Sequence, residues 1–243
     1  MARKSSGSNK SFGAIIAVAG VVGVAVLGYV VSRPRQVQQI DPSTLPTVAA
    51  AGILKGNPDA PVQVIEFADF ECPACGNFAM VTMPDVMKRL VETGQVAFRF
   101  YDLPLEMHRN AVPAHNAAHC ANEQGKFWEM ADQIFAGQFD WNTQASRNPK
   151  RIFQGYAERV GLDVGKWSEC VDSGRMLPQI YANRAEAGKF RVRSTPTFVI
   201  GGTVVEGSIP YDEFKRYVDA APSYGRAEEF LAGWLAAHPE RGD

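Results

Sequence analysis

The stretch EFADFECPACGNFAM, residues 66–80, places Cys72 and Cys75 two residues apart between two differently patterned runs. The preceding run, VQVIEFADF at residues 62–70, is short and rich in β-branched and aromatic residues, which is typical of a buried strand. The following run, residues 76–92, repeats apolar residues at helical spacing. The sequence therefore predicts that the two cysteines lie where a strand ends and a helix begins.

The rest of the chain continues this alternation. QVAFRFYDLPL at residues 95–105 predicts a second strand, and residues 110–189 follow a helical pattern. TPTFVIGGTVVEG at residues 195–207 predicts a hairpin, and residues 210–221 predict a closing helix. A strand–helix–strand start favours a parallel pair with a right-handed crossover, to which the hairpin adds antiparallel strands. We therefore predict an α/β protein with one sheet and an inserted helical subdomain.

Composition narrows the possible functions. The 243 residues are 46% hydrophobic and 21% charged, as in ordinary globular proteins, and the formal net charge is −1. Such a balance provides no general attraction to a phosphate backbone, so we predict no nucleic-acid binding.

The N-terminal region differs from the rest. Residues 1–11 are basic, and residues 12–31 form an uncharged apolar run of 20 residues, which as a helix would be about 30 Å long. We predict a cytoplasmic tail, a transmembrane signal-anchor and a proline-rich linker at residues 32–54. A cleaved signal peptide and a buried core helix are the alternatives. The anchor and the cleaved signal both place the remainder, a domain at 55–222 and a helix or tail at 223–243, outside the cytoplasm.

The chain contains four cysteines: Cys72, Cys75, Cys120 and Cys170. A structural zinc site usually has two close pairs, whereas Cys120 and Cys170 are 50 positions apart. In an extracytoplasmic chain an even number of cysteines favours disulfides, here one short and one long pair. Closing a loop of this length removes about 4 kcal/mol of unfolded-state freedom, so we predict a structural Cys120–Cys170 disulfide.

The close pair has a different use. A bridge between Cys72 and Cys75 constrains the unfolded chain very little. At a helix N-terminus, unpaired N–H groups and the helix dipole favour a thiolate at Cys72, which makes the disulfide more oxidising. Cys75, one turn further on, is placed to resolve a mixed disulfide. We therefore predict a redox-active pair.

Three segments, FECPACGNFA, HCANEQGKFWEMADQIF and STPTFVIGG, together resemble the DsbA-like thiol:disulfide oxidoreductases, which have a thioredoxin-like fold with a helical insertion. The resemblance covers residues 55–221 and implies an insertion at about 108–189. It also implies that the bond between Thr195 and Pro196 is cis and lies against the cysteines. Glu66 matches a buried acid that transfers protons to the second cysteine; the alternative is that Glu66 faces solvent from an edge strand.

Combined with the predicted anchor at residues 12–31, the resemblance implies a membrane-anchored oxidase, with its catalytic domain outside the cytoplasm, that acts on exported proteins with free thiols. It needs no cofactor of its own and is reoxidised by a quinone-linked membrane protein of the DsbB or vitamin K epoxide reductase type. Ala74 replaces the histidine of the strongest oxidants, and Thr195 replaces their valine, which leaves the reduction potential open. The alternatives are an isomerase or reductase kept reduced by a membrane electron donor, and a tethered chaperone without enzymatic activity.

Other candidate residues are weaker. His115 and His119 lie four residues apart beside Cys120, but nothing at useful spacing completes a metal site, so we predict none. For His108 we expect a surface or capping position. Met80 and the methionines that follow it, Met83 and Met87, either line a substrate groove or pack in the core.

Overall fold

The computed structural model describes residues 42–222. The predicted tail, membrane span and first part of the linker, residues 1–41, lie outside the described residues, as does the predicted C-terminal helix or tail at 223–243. Within residues 42–222, none of the helices combines the length and the apolarity needed to cross a bilayer.

A single five-stranded sheet forms the centre of the described region. Its strands are β1 (Ile53–Lys55), β2 (Val62–Ala68), β3 (Val96–Asp102), β4 (Thr197–Ile200) and β5 (Thr203–Glu206), in the order β1-β3-β2-β4-β5. β2 and β3 are parallel, and the other pairs are antiparallel. The predicted parallel pair and antiparallel hairpin are therefore confirmed, and β2, which leads to the cysteines, lies at the centre of the sheet.

Strand β1 differs from the sequence prediction, which assigned residues 32–54 to a linker. Ile53 pairs with Phe100 and Lys55 with Phe98, so β1 forms an edge of the sheet. A strand of three residues is too short to show an alternating pattern. The ordered domain therefore begins before residue 55.

Besides a short 3-10 helix at Pro42–Thr44, eight helical segments pack around this sheet within residues 42–222. Helix α1, residues 73–91, alternates α-helical turns (Pro73–Asn77, Met83–Val86) with π-helical turns (Phe78–Thr82, Met87–Val91). The insertion contains α2 (Ala111–Asn122), α3 (Phe127–Ala136), α4 (Gln138–Trp141), α5 (Lys150–Arg159), α6 (Val164–Ser173) and α7 (Leu177–Lys189). Helix α8 (Tyr211–Ala220) follows the hairpin. From β2 to α8, the predicted order of strands and helices is thus confirmed.

The insertion is fastened internally and to the sheet. Cys120 in α2 and Cys170 in α6 form a disulfide with a Cα–Cα distance of 5.7 Å, which confirms the predicted structural pair. One buried cluster combines apolar residues of α2, α3 and α6 with Phe70, Cys72 and Cys75. The cysteine pair therefore lies at the junction between the sheet and the inserted helices.

Candidate active site

A tight turn joins β2 to α1 and ends at Cys72. The Cys72 N–H donates to the Asp69 carbonyl oxygen at 3.1 Å, which closes residues 69–72 into what we call the cysteine turn. Cys72 is the N-cap residue of α1, with extended backbone angles of φ −73° and ψ 122°, and Pro73 occupies the first helical position. The predicted placement of the pair between strand and helix is correct.

The two thiols have opposite properties. Both are reduced in the structure; Cys72 is 8% exposed, whereas Cys75 is fully buried. The pKa of Cys72 falls from 9.0 to about 5, mainly because the Cys75 thiol donates a hydrogen bond to its sulfur, with further donation from Thr195 and from the N–H groups of Ala74 and Cys75; burial opposes the fall. Burial and the neighbouring thiolate raise the pKa of Cys75 well above its ordinary value. Near neutral pH the site therefore presents one thiolate backed by one thiol.

Thr195 and Pro196 lie directly against Cys72. The peptide bond between them is cis, as expected, and Cys72 Sγ lies 3.3 Å from the Thr195 carbonyl oxygen. The Thr195 hydroxyl is buried and has no hydrogen-bond partner among the described residues. Ionisation of Cys72 provides an acceptor for that hydroxyl.

Glu66 lies in β2, between β3 and β4, where its register partners are Phe100 and Phe198. It is 3% exposed, so the alternative of a solvent-facing position on an edge strand is wrong. Burial, followed by the negative charge of Cys72, raises the pKa of Glu66 from 4.5 to about 8. At neutral pH this carboxyl group carries a proton inside the protein.

Asp69, in the cysteine turn, is a fully buried carboxylate that sequence reasoning missed. It accepts hydrogen bonds from the Glu71 N–H at 2.7 Å and the Leu105 N–H at 2.8 Å, and its Oδ2 lies 2.7 Å from Nδ1 of His108. His108 is therefore not simply a surface or capping residue. The available signal was an acid placed inside an otherwise apolar run before the cysteines.

Glu71 also connects the cysteine turn to the helical insertion, through different residues from those that Asp69 contacts. Its carboxylate accepts hydrogen bonds from the N–H groups of Asn110, at 2.8 Å, and of Thr143. Like Asp69, it is almost completely buried, with 4% exposure. The two acids thus attach the cysteine turn to the beginning and the middle of the insertion.

Gln138, the first residue of α4, also holds the turn. Its Nε2 group donates to the carbonyl oxygens of Phe70, at 2.8 Å, and Cys72, at 2.9 Å. A Cβ atom on Gly76 would lie only 3.1 Å from the Gln138 side chain, so α1 and α4 approach each other closely here. No sequence pattern indicated this contact, because 66 residues separate its partners.

The histidines considered for a metal site instead bind a buried carboxylate. His115 Nδ1 and His119 Nε2 lie 2.6 Å and 2.8 Å from Asp102, which also accepts a hydrogen bond from Asn183 at 2.6 Å. Although burial acts in the opposite direction, the two imidazoles lower the pKa of Asp102 below its ordinary value. The Phe70 N–H donates to His115 Nε2 at 3.4 Å, which connects this group to the cysteine turn.

The methionines of α1 divide between the two predicted uses. Met80 is 52% exposed beside the 67%-exposed Val81, so these two side chains offer apolar surface on the helix that begins at Cys72. Met83 and Met87 pack against the core formed by the sheet, α1 and α8.

Comparisons with known proteins agree with this architecture. A family model described as thioredoxin matches residues 49–220. A Na(+)/H(+) antiporter NhaA 3 of Salinispora tropica is 36% identical over 160 residues, which is 65% of this chain and 22% of that protein. The chain thus spans about a quarter of the length of the antiporter relatives that it matches.

Two further proteins match over nearly their entire length. The probable disulfide bond formation protein D of Bacillus anthracis is 22% identical over 218 residues, 89% of this chain and 97% of that protein. The oxidised BdbD structure from Bacillus subtilis has a TM-score of 0.63 and 22% identity, covering 72% of this chain and 97% of that one. This structural likeness shows a shared fold.

Proposed function

Because the chain belongs to the thioredoxin family and resembles DsbA-like oxidoreductases, we propose that it is a thiol:disulfide oxidoreductase that introduces disulfides into exported proteins. Cys72 and Cys75 are its redox pair. We further propose that residues 12–31 anchor it in the cell membrane as a single span, with the catalytic domain outside the cytoplasm.

The unequal acidity of the two thiols carries this proposal. At pH 7, two units above the Cys72 pKa of about 5, thiolate exceeds thiol about a hundredfold. A thiolate is both the better nucleophile and the better leaving group in thiol–disulfide exchange. Because Cys75 is fully buried, a substrate reaches only the Cys72 sulfur.

The reaction begins with the pair as a disulfide. A substrate thiolate attacks Cys72 Sγ, the bond to Cys75 breaks, and the Cys75 sulfur leaves with the bonding electrons. A second substrate thiolate then attacks the substrate sulfur of the mixed disulfide and releases Cys72 as a thiolate. The substrate has lost two electrons, and the enzyme has gained them as a dithiol.

Glu66 supports the first step by supplying a proton. The leaving Cys75 sulfur lies in surroundings that strongly disfavour its anion. Glu66, whose pKa is about 8, is protonated at neutral pH and close enough for its charge to affect Cys75. Proton transfer from Glu66 to that sulfur moves the negative charge from Cys75 to the Glu66 carboxylate, which is the more acidic of the two groups.

The low pKa of Cys72 also favours oxidation of the substrate by the enzyme disulfide. Whatever stabilises the thiolate stabilises the reduced enzyme, and a more stable reduced form makes the disulfide a stronger oxidant. The hydrogen-bond donors at Cys72 thus supply part of the oxidising power that a histidine at position 74 would otherwise contribute.

Refolding of a reduced substrate protein tests the activity. Purified chain carrying the preformed disulfide should oxidise a stoichiometric amount of substrate dithiol, and Cys72→Ser should abolish this oxidation. Cys120→Ala/Cys170→Ala, assayed at a temperature where it remains folded, is the matched control and should retain it. Normal oxidation by Cys72→Ser would refute the mechanism, and full cellular function of Cys72→Ala/Cys75→Ala would favour the tethered chaperone.

The proposed location is supported by the apolar run at 12–31 and by the disulfide between Cys120 and Cys170, since such bonds persist mainly outside the cytoplasm. In fractionated cells the chain should remain with membranes after a high-salt wash. In spheroplasts, externally added protease should remove the domain. Protection from protease in intact spheroplasts would contradict this orientation.

The partner that restores the disulfide is, in this proposal, a quinone-linked membrane reoxidase of the DsbB or vitamin K epoxide reductase type. Acid quenching of cells followed by thiol labelling should find the Cys72–Cys75 pair mainly oxidised. A pair that is mainly reduced at rest would instead support the reductase or isomerase alternative.

A further inference from the structure

His108 contacts the cysteine turn from outside the redox pair. It follows β3 and precedes α2, its side chain is 18% exposed, and its Nδ1 lies 2.7 Å from Asp69 Oδ2. Asp69 in turn closes the cysteine turn, since its carbonyl oxygen accepts the Cys72 N–H and its own N–H lies 3.5 Å from Cys75 Sγ. The imidazole is therefore one residue removed from both sulfurs.

The negative charges around this turn favour a cation beside it. Asp69 and Glu71 are buried carboxylates within three residues of Cys72, and their negative charges oppose formation of a thiolate there. Position 74, between the cysteines, is an alanine and contributes no charge. His108 is placed to balance one of the carboxylates.

His108 and the negatively charged groups around it affect each other's protonation. The hydrogen bond with Asp69 raises its pKa above the ordinary value; partial burial opposes the rise, and the charges of Asp69, Glu71 and Cys72 add to it. An interaction by which the Cys72 thiolate favours the imidazolium must favour the thiolate to the same extent. The ring therefore carries more positive charge when the pair is reduced.

We propose that His108 is a positioning residue of the redox site, whose imidazolium, held on Asp69, balances the buried carboxylates of the cysteine turn and so makes the Cys72–Cys75 disulfide more oxidising. This inference deepens the proposed function and rests on it for its physiological meaning. The reduction potential itself is a property of the pair whatever the substrate.

Two substitutions separate charge from hydrogen bonding. His108→Ala removes both, whereas His108→Asn keeps an N–H donor that can reach Asp69 but cannot become a cation. Lys215→Gln is the control, because it removes a cation from the exposed pair with Asp219 on α8. Urea unfolding of each oxidised variant verifies that the fold is retained.

Equilibration of the full chain with glutathione at pH 6.5 gives the potential, and absorbance at 240 nm gives the Cys72 titration. For both His108 variants we expect the equilibrium constant to shift about threefold to tenfold toward the disulfide, equivalent to a potential about 15–30 mV lower. The Cys72 pKa should rise in both, and the Lys215→Gln control should match the wild type.

Three results would overturn the inference: a wild-type potential in both His108 variants, a wild-type potential in His108→Asn alone, or an equal shift in the Lys215→Gln control. The second would show that hydrogen bonding and not charge is responsible. If the wild type fails to oxidise any substrate dithiol while the His108 variants still shift the potential, the proposed function fails and this inference stands.

Discussion

Replacing Cys75 by alanine tests the physical basis of the site most directly. The hydrogen bond from the Cys75 thiol is the main reason that the pKa of Cys72 is about 5. A hydrogen bond to a charged group contributes about 1.5–3 kcal/mol, and one pKa unit corresponds to about 1.4 kcal/mol. Loss of this donor should therefore raise the Cys72 pKa by about one to two units, to about 6–7.

The assay is thiolate absorbance at 240 nm, followed from about pH 3 to 9, with the rate of iodoacetamide alkylation as a second readout. Cys75→Ser is the matched control because its hydroxyl group can still donate, so its Cys72 should titrate close to the wild-type value. Identical midpoints for the alanine and serine variants would show that the donor at position 75 is not the cause. A wild-type midpoint near that of free cysteine would refute the reasoning as a whole.

Three further predictions concern the surrounding groups. Because the pKa of Glu66 is raised, wild-type protein should lose stability relative to Glu66→Gln as the pH rises from about 4.5 toward 8, and a series of melting temperatures measures this difference; the oxidised form of the same variant should form mixed disulfides with a substrate thiol more slowly in stopped-flow experiments. Thr195→Val removes a buried hydroxyl without a partner, so we expect denaturant unfolding to show the oxidised protein more stable by about 1 kcal/mol, while the Cys72 pKa rises. Cys120→Ala/Cys170→Ala should lower the free energy of unfolding by about 4 kcal/mol, since 50 residues separate the two cysteines, and a loss below 1 kcal/mol would contradict the loop-entropy argument.

The features that sequence predicted well are those with a local signal. The buried strand at 62–70 and the hairpin at 195–207 are marked by runs of β-branched residues and by a Gly-Gly turn. The position of Cys72 and Cys75 between a strand and a helix could be predicted because a strand pattern precedes them and a helical pattern follows. The Cys120–Cys170 disulfide was predicted from the number and spacing of the cysteines, because no local pattern indicates which residues it brings together.

The features that sequence did not predict depend on contacts between distant segments. Strand β1 exists because it pairs with β3, not because three residues have a strong preference. Asp102 contacts two histidines that lie 13 and 17 positions away along the chain. Aspartate is seldom fully buried, so sequence alone gave no reason to expect it in the core. Asp69 was missed for the same reason, since only the folded chain brings its N–H partners and His108 together.

The two hydrogen bonds from Gln138 have an implication for protein engineering. A minimal redox module made by excising the helical subdomain would keep every residue of the CPAC motif but leave the Phe70 and Cys72 carbonyl oxygens without their amide donor. Grafting the motif onto a scaffold that contains only the sheet and its flanking helices would therefore transfer the four residues without the Gln138 hydrogen bonds that hold them in place. A transplanted active site should therefore include both the CPAC motif and the helical insertion that contains Gln138.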